Sequence, residues 1–297
     1  MTKDLVPIVY HDFLVPETGI DAQIHTINLE QLIYLANTPS ESEFSQVITD
    51  EGDTGRVSEQ RNRKTRSNSW DPTPPKSVNE LTDRARKTLI YNTRGFKGNT
   101  RGHHIKEPFA TLEEILITLP SSIGFDIEIS ELPQYPTIFD RDEWQLVPFA
   151  IELNAFVDGI LDKIFAKDSD RGIVISSFSP DICILASLKQ SKYPVLYLTR
   201  GGCSKLWDER ARSLREAIHF AKTWDLLGTI TVCNPILVCP KLVGTIKANG
   251  LICGSYGGGN NVPENAKIQA EAGLDIIVVD RFASILKTLQ ESGYIEK

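Results

Sequence analysis

Apolar residues in this chain are gathered into short runs, separated by longer polar or amphipathic stretches. The runs are LVPIVYH (5–11), GFDIEIS (124–130), GIVISSF (172–178), PVLYLT (194–199), GTITVCN (228–234), GLICGSYG (250–257) and DIIVVD (275–280). Each is rich in β-branched or aromatic residues, and most are apolar at consecutive positions rather than at every second one. A strand with one wet face alternates; a strand covered on both faces does not, so these runs predict parallel strands lying under helices. Between the later runs, PDICILASLKQ, ERARSLREAIHFAKTW, CPKLVGTIKANG, NAKIQAEAG and FASILKTLQES carry apolar residues at helical spacing. Ser179-Pro180-Asp181 reads as a helix start, and the glycines of KANG and EAG as helix stops.

Alternating strands and helices require parallel crossovers, hence an α/β fold. Eight such strands close a (β/α)8 barrel of TIM type and remove every sheet edge. Seven runs, the first starting at Leu5, predict that barrel without its first strand. The whole of 1–297 is read as one domain, incomplete at its N-terminus.

The stretch from about 39 to 108 breaks the pattern. It is polar, mixed in charge and poor in apolar residues until Leu89. Residues 39–78 are expected to form a mobile insertion. Residues 79–120 are expected to form helix, loop and helix, the second helix being Phe109-Ala-Thr-Leu-Glu-Glu-Ile-Leu. RNRKTR within the insertion reads as a solvated loop.

Composition narrows the function. A net charge of −7 offers no basic surface for a nucleic-acid partner. No apolar run approaches the roughly 20 residues of a membrane span, and no signal-peptide core follows Met1. Cys183, Cys203, Cys233, Cys239 and Cys253 show no CxxC or Cys/His metal spacing. They are expected to be reduced, partly buried thiols of a cytoplasmic protein.

In α/β barrels functional groups sit at the C-terminal strand ends. In LVPIVYH, Leu5, Pro7, Val9 and His11 share one face, so His11 would stand at the barrel mouth. An imidazole there either moves protons near neutral pH or is a half-buried residue capped by Asp12. In GFDIEIS, Asp126, Glu128 and Ser130 share the other face from Phe125, Ile127 and Ile129. Paired carboxylates facing inward call either for a divalent cation or for a hydrogen-bonded network. Ser176, Ser177 and Phe178 end the next strand, and Tyr256 and Asn260 lie in the glycine-rich SYGGGNN. Asp280 either joins the site or caps the following helix. His103 and His104 read as surface residues, and His25 and His219 as ordinary helix or loop residues.

TKDLVPIVYHDF, FKGNTRGHHIKEPFATLEEIL, GFDIEIS, SSFSPDICILASLKQ, SLREAIHFAKTWDLLG and GLICGSYGGGNNVPENAKIQAEAGLDIIVVD, in this order, resemble the glycerophosphodiester phosphodiesterase family. The likeness is to the C-terminal catalytic domain of the fungal glycerophosphocholine phosphodiesterases, and it covers most of the chain outside 39–78. It implies a (β/α) barrel that hydrolyses glycerophosphodiesters to glycerol 3-phosphate and an alcohol such as choline. It also implies a divalent metal, Mg or Ca, and two histidines. His11, followed by Asp12, matches the second histidine, and Glu128 matches a metal-binding glutamate. The family's His-Arg-Gly strand and Glu-x-Asp pair would fall before Met1, which implies a truncated domain with further domains upstream. Ser130 stands where the family usually has a lysine, and Arg200, ending YLTR, is the candidate replacement. Phe178, Tyr256 and Arg200 are thus the expected substrate-binding residues, with His11 catalytic and Glu128 at the metal. The implied mechanism has the metal polarising a phosphoryl oxygen while one histidine acts as base and the other as acid. The alternative is a relative without catalysis, a regulatory or ligand-binding domain in phosphate signalling.

Overall fold

The computed structural model describes residues 1–10, 23–36, 109–130, 151–167, 170–204, 206 and 208–295. The expected insertion 39–78 with its RNRKTR run, the first helix expected after residue 79, His11–Asp12 and His103–His104 lie outside the described residues. The chain divides into two units, Met1–Glu114 and Ile115–Lys297.

In the first unit the described part of the first run, residues 5–10, does not form a strand. Leu5 takes a left-handed backbone (φ 61°). The chain turns there: the Leu5 N–H donates to the Thr2 carbonyl (3.1 Å) and the Thr2 N–H to that of Val6 (3.1 Å). Pro7 has no N–H to place in a ladder. What remains is an isolated antiparallel bridge, Ile8 to Thr111. The run was expected as a parallel strand covered on both faces; instead Leu5 and Val9 are exposed, and backbone chirality at Leu5 and the missing donor at Pro7 prevent its pairing. Ile24, Leu32 and Phe109 form a small core with Ile8, Tyr10 and Ile27 against it. Helix α1, Leu29–Ala36, begins where the Asp4 carboxylate accepts the Leu29 N–H (3.0 Å).

Helix α2, Leu112–Thr118, overlaps the expected helix 109–116 but starts three residues later and ends two residues later. Its start is a capping box: the Thr111 N–H donates to Glu114 Oε2 (2.7 Å) and the Glu114 N–H to Thr111 Oγ1 (3.1 Å).

The second unit is a parallel sheet of six strands in sequence order. They are β1 Phe125–Glu128, β2 Ile173–Ser177, β3 Val195–Thr199, β4 Gly228–Val232, β5 Ile252–Tyr256 and β6 Ile276–Ile277. Six strands thus replace the seven expected, and among the described residues β1 and β6 are the sheet edges. Helices alternate with them: α3 Leu153–Ala166, α4 Pro180–Lys189, α5 Leu214–Thr223, α6 Cys233–Val238, α7 Lys241–Lys247, α8 Pro263–Glu271 and α9 Phe282–Glu291. Three of the five helical stretches read from the sequence start where a side-chain cap or a first-turn proline starts them. Ser179 caps α4 ahead of Pro180, and Ser213 caps α5 by accepting the Glu216 N–H (3.2 Å). Sequence reading passed over α3, although Phe156, Val157, Ile160, Leu161 and Ile164 give it a buried stripe. Its N-cap, Glu152, accepts the Asn154 and Ala155 N–H groups, which hold its carboxyl below the usual range.

The start of β2 is tied to the end of α2 by Arg171. Its buried guanidinium donates to the carbonyls of Leu119 (2.7 Å), Pro120 (2.8 Å) and Ile123 (2.6 Å). It also covers the Phe125 ring, 4.1 Å from its centroid. A cation at a helix C-terminus meets orphan carbonyls and the negative end of the dipole. Here that contact fixes where β1 begins.

Candidate active site

Paired residues of a parallel ladder point to the same face, so register decides which side chains meet. Glu128 pairs with Ser176, Ser176 with Leu196, Leu198 with Ile230, and Ile230 with Gly254. One face therefore carries Asp126, Glu128, Val174, Ser176, Leu196, Leu198, Ile230 and Ile276. Leu196, Leu198 and Ile230 form its core, with Val174, Phe178, Tyr256 and Ile276 packed on it. Helices α4 and α5 cover the other face, where Ile175 and Tyr197 are fully buried. The first face is the concave one. Phe178 of β2 and Tyr256 of β5 meet across it edge to face, centroids 5.5 Å apart, although two strands separate theirs in the sheet.

At the C-terminal ends of the strands this face gathers four of the expected residues. Glu128 ends β1 and is exposed; Phe178, Arg200 and Tyr256, beyond or at the ends of β2, β3 and β5, are half-buried. Burial pushes the Tyr256 phenol up to about 12; Arg200 pulls it down, and Glu128 pushes it further up. Both charges therefore act on Tyr256. A phenol held neutral in this way is a hydrogen-bond donor across the whole neutral range. The fifth expected residue, His11, lies outside the described residues.

Arg200 opens a tight turn that sequence reading did not single out. Its carbonyl accepts the Cys203 N–H (2.9 Å), and its Nη1 donates to Ser204 Oγ (3.3 Å). Gly201 and Gly202 have φ of 59° and 87°. A Cβ on Gly201 would stand 2.5 Å from Thr231 Oγ1, so both space and conformation demand glycine there. The GG following Arg200 was the available signal.

Other expected residues take structural parts. Ser177 faces the helices: its hydroxyl donates to the Ile129 carbonyl (2.7 Å) and accepts the Ser179 N–H (3.1 Å). Asn260 is fully buried. Its Nδ2 donates to the Ser255 (3.1 Å) and Val278 (2.9 Å) carbonyls, and its Oδ1 accepts from Gln269 Nε2 (2.9 Å). It staples β5 to the turn before α8 and is not offered to a ligand. Asp280 does not cap α9; the side chain of Asn261 accepts the N–H groups of Asp280 (2.8 Å) and Arg281 (3.0 Å). Ser130, exposed beyond Glu128, brings no cation. The cysteines are free thiols, with Cys183, Cys233 and Cys253 buried and Cys203 and Cys239 exposed.

Asp126 and Glu128 are oxygen donors of the kind a hard cation takes. Partial burial holds the Asp126 carboxyl above its ordinary value, with the Ser176 hydroxyl drawing it down. Among the described residues no group of three His, Cys, Asp or Glu side chains is gathered to hold a metal. These residues do not by themselves make a complete divalent-cation site.

Residues 1–284 match the glycerophosphoryl diester phosphodiesterase family. The glycerophosphocholine phosphodiesterase of Schizosaccharomyces pombe is 40% identical over 291 residues, 98% of this chain and 24% of that protein. That of Candida albicans is 38% identical over 292 residues, 98% of this chain and 25% of that protein. The chain thus spans about a quarter of the length of these relatives. Among solved structures, an Oleispira antarctica phosphodiesterase in complex with the product sn-glycerol-3-phosphate superposes with a TM-score of 0.55. The match covers 98% of this chain and 82% of that one at 14% identity. A Silicibacter pomeroyi structure of glycerophosphoryl diester phosphodiesterase type gives 0.59 over 99% and 81%, at 15% identity. At such identities the likeness is one of fold, and it is the α/β barrel fold expected from the strand and helix pattern.

Proposed function

The chain belongs to the glycerophosphoryl diester phosphodiesterase family, and from that premise we propose that it hydrolyses glycerophosphodiesters, glycerophosphocholine among them, to glycerol 3-phosphate and an alcohol. The observation that carries the proposal is the convergence of Glu128, Phe178, Arg200 and Tyr256 at one end of the concave face, with Arg200 and Glu128 both acting on Tyr256.

Each residue has a part in this reading. Arg200, steadied by Ser204, is a permanent cation and takes the phosphodiester anion. Tyr256, kept neutral, donates to a phosphoryl or bridging oxygen. Phe178 packs against it and presents an apolar wall to the glycerol carbons. A water attacks phosphorus and gives up a proton, the bond from phosphorus to the alcohol oxygen breaks, and the departing alkoxide takes a proton; where the neighbouring glycerol hydroxyl attacks instead, the cyclic phosphate so formed is opened by a water to glycerol 3-phosphate. His11 is proposed to move that proton. Dependence on Mg or Ca is proposed from the family, with Glu128 as one oxygen donor. A place in lipid and phosphate metabolism in the cytoplasm belongs to the same proposal. Among the described residues no helix is long and apolar enough to cross a membrane.

A second reading, ligand binding without turnover, is favoured by Ser130 standing where a lysine is expected. Release of glycerol 3-phosphate from glycerophosphocholine, with Mg, Ca or EDTA, tests both. The first reading expects metal-dependent release, lost by about 10²–10⁴ in His11→Ala and severely reduced in Glu128→Gln and Arg200→Met. Calorimetric binding of glycerophosphocholine without release supports the second. Neither binding nor release from the folded chain overturns both.

A further inference from the structure

Away from the concave face, α5 and α7 enclose an open groove of about 600 Å³. None of Glu128, Phe178, Arg200 and Tyr256 lines it. Its floor is Leu214, Ile218 and Leu242, all half-buried; its rim is Arg215, His219 and Lys222, all exposed. The arrangement follows from helical spacing. Positions 214 and 218 are one turn apart on α5, and 215, 219 and 222 follow along the adjoining stripe. Lys222 Nζ donates to Asn249 Oδ1 (3.4 Å), which holds the ammonium at one end of the groove.

Among the described residues no carboxylate lines this groove, on a chain whose net charge is −7. Some acids of the outer surface are paired elsewhere, Asp275 with Lys247, Asp158 with Lys189 and Asp181 with Arg210, and the exposed Glu216 and Asp225 near α5 are not among the residues lining the groove. An apolar floor between two helices with a cationic rim is complementary to one kind of surface, an apolar stripe flanked by carboxylates. The groove is open along its length. Closed pockets that bind small molecules enclose most of the ligand, whereas helix-in-groove docking leaves the outer face of the guest in solvent.

We propose that this groove docks an acidic amphipathic helix of a partner protein, its apolar stripe on Leu214, Ile218 and Leu242 and its carboxylates against Arg215 and Lys222. The proposal is independent of the reading of the active site.

The test uses the full chain and a fluorescein-labelled synthetic peptide of about 15 residues, the length at which an isolated helix begins to hold. The peptide carries leucines at i, i+3, i+4 and i+7 flanked by glutamates; a control carries lysines in place of the glutamates. Arg215→Glu/Lys222→Glu changes two exposed positions, and a thermal melt verifies that it folds. The expected result is saturable anisotropy with the acidic peptide, none with the basic one, and at least about a tenfold loss of affinity in the double variant. Amide shifts confined to 214–223 and 242–249 accompany it. Equal binding of both peptides, no binding of either, or binding untouched by the charge reversal overturns the proposal. So does cation-dependent binding to phosphatidylserine vesicles without binding to the acidic peptide, which would assign the groove to a membrane surface.

Discussion

Replacing Arg171 tests how the strand bearing Glu128 is held in place. The guanidinium is 5% exposed and makes three short bonds to the carbonyls of Leu119, Pro120 and Ile123, with a longer one of 3.4 Å to Leu116. Hydrogen bonds from a charged donor contribute about 1.5–3 kcal/mol each, while burying the charge costs several kcal/mol. Arg171→Met removes both terms, so the bonds do not simply add. What persists is the cost of carbonyls without a donor, together with the loss of the contact over Phe125. Pro120 and Ile123 are exposed residues whose carbonyls can turn to water, whereas Leu116 is buried. The expected loss is therefore about 2–4 kcal/mol, below the gross sum of the bonds. Arg171→Lys keeps the charge, but a point donor cannot serve a fan of carbonyls, and it should lose about 1–2 kcal/mol. Urea unfolding followed by circular dichroism reads both, as lower midpoints with unchanged slope. Faster hydrogen exchange should appear first at Phe125–Glu128. A methionine variant within about 0.5 kcal/mol of the parent, or a lysine variant equal to it, would refute the reasoning by showing that water serves these carbonyls as well as Arg171 does.

Three further outcomes follow from the site. Asn260→Ala strips donors from the Ser255 and Val278 carbonyls and the acceptor from Gln269, and should cost about 3 kcal/mol in urea; Asn260→Asp should be worse as pH rises, because a buried carboxylate facing carbonyls resists ionisation. Gly201→Ala should lower stability by about 1–3 kcal/mol and raise KM for the glycerophosphodiester. Gly202→Ala should cost less than Gly201→Ala, because its Cβ meets nothing closer than 3.6 Å. In a tyrosinate absorbance titration, the component lost in Tyr256→Phe should titrate near 12, and Arg200→Met should move it higher while Glu128→Gln moves it lower. Because this folded value lies above the ordinary tyrosine value, the stability tied to the neutral phenol is complete below about 10 and fades as pH rises towards 12. Titration unmoved by either substitution would show that the three side chains do not share a site.

Much of the α/β pattern could be read along the chain because it rests on local chemistry. Runs such as GIVISSF and GTITVCN are apolar on both faces and became buried parallel strands. Ser179-Pro180 marked a helix start because a side-chain oxygen and a proline meet the first unpaired amides, whereas Ser213, inside the stretch read as helical from Glu209, is the cap of α5 only in the structure. Alternation also assigned Glu128 and Asp126 to one face and Ile127 and Ile129 to the other, and burial follows that division. The family resemblance rested on the same residues in the same order.

Other features depended on contacts between distant residues. Leu5–Tyr10 has the composition of a strand, yet a left-handed residue and a proline leave it only an isolated bridge to Thr111. Asn260 and Asp280 look alike as polar residues near strand ends; the carbonyls and amides around them make one a staple and leave the other as the partner of Asn261. Arg171 stands in no motif, and its role appears only when the carbonyls ending α2 converge on it. By itself the sequence determined six of the strands and most of the helices of the second unit, and which face the side chains of those strands take. Those choices depend on the 2.0 and 3.6 residue periods of single elements. Only the tertiary structure decided that Phe178 packs on Tyr256 and that Arg200 and Glu128 both act on that phenol. That meeting is set by register and sheet curvature between strands far apart in the chain, and no local period encodes it.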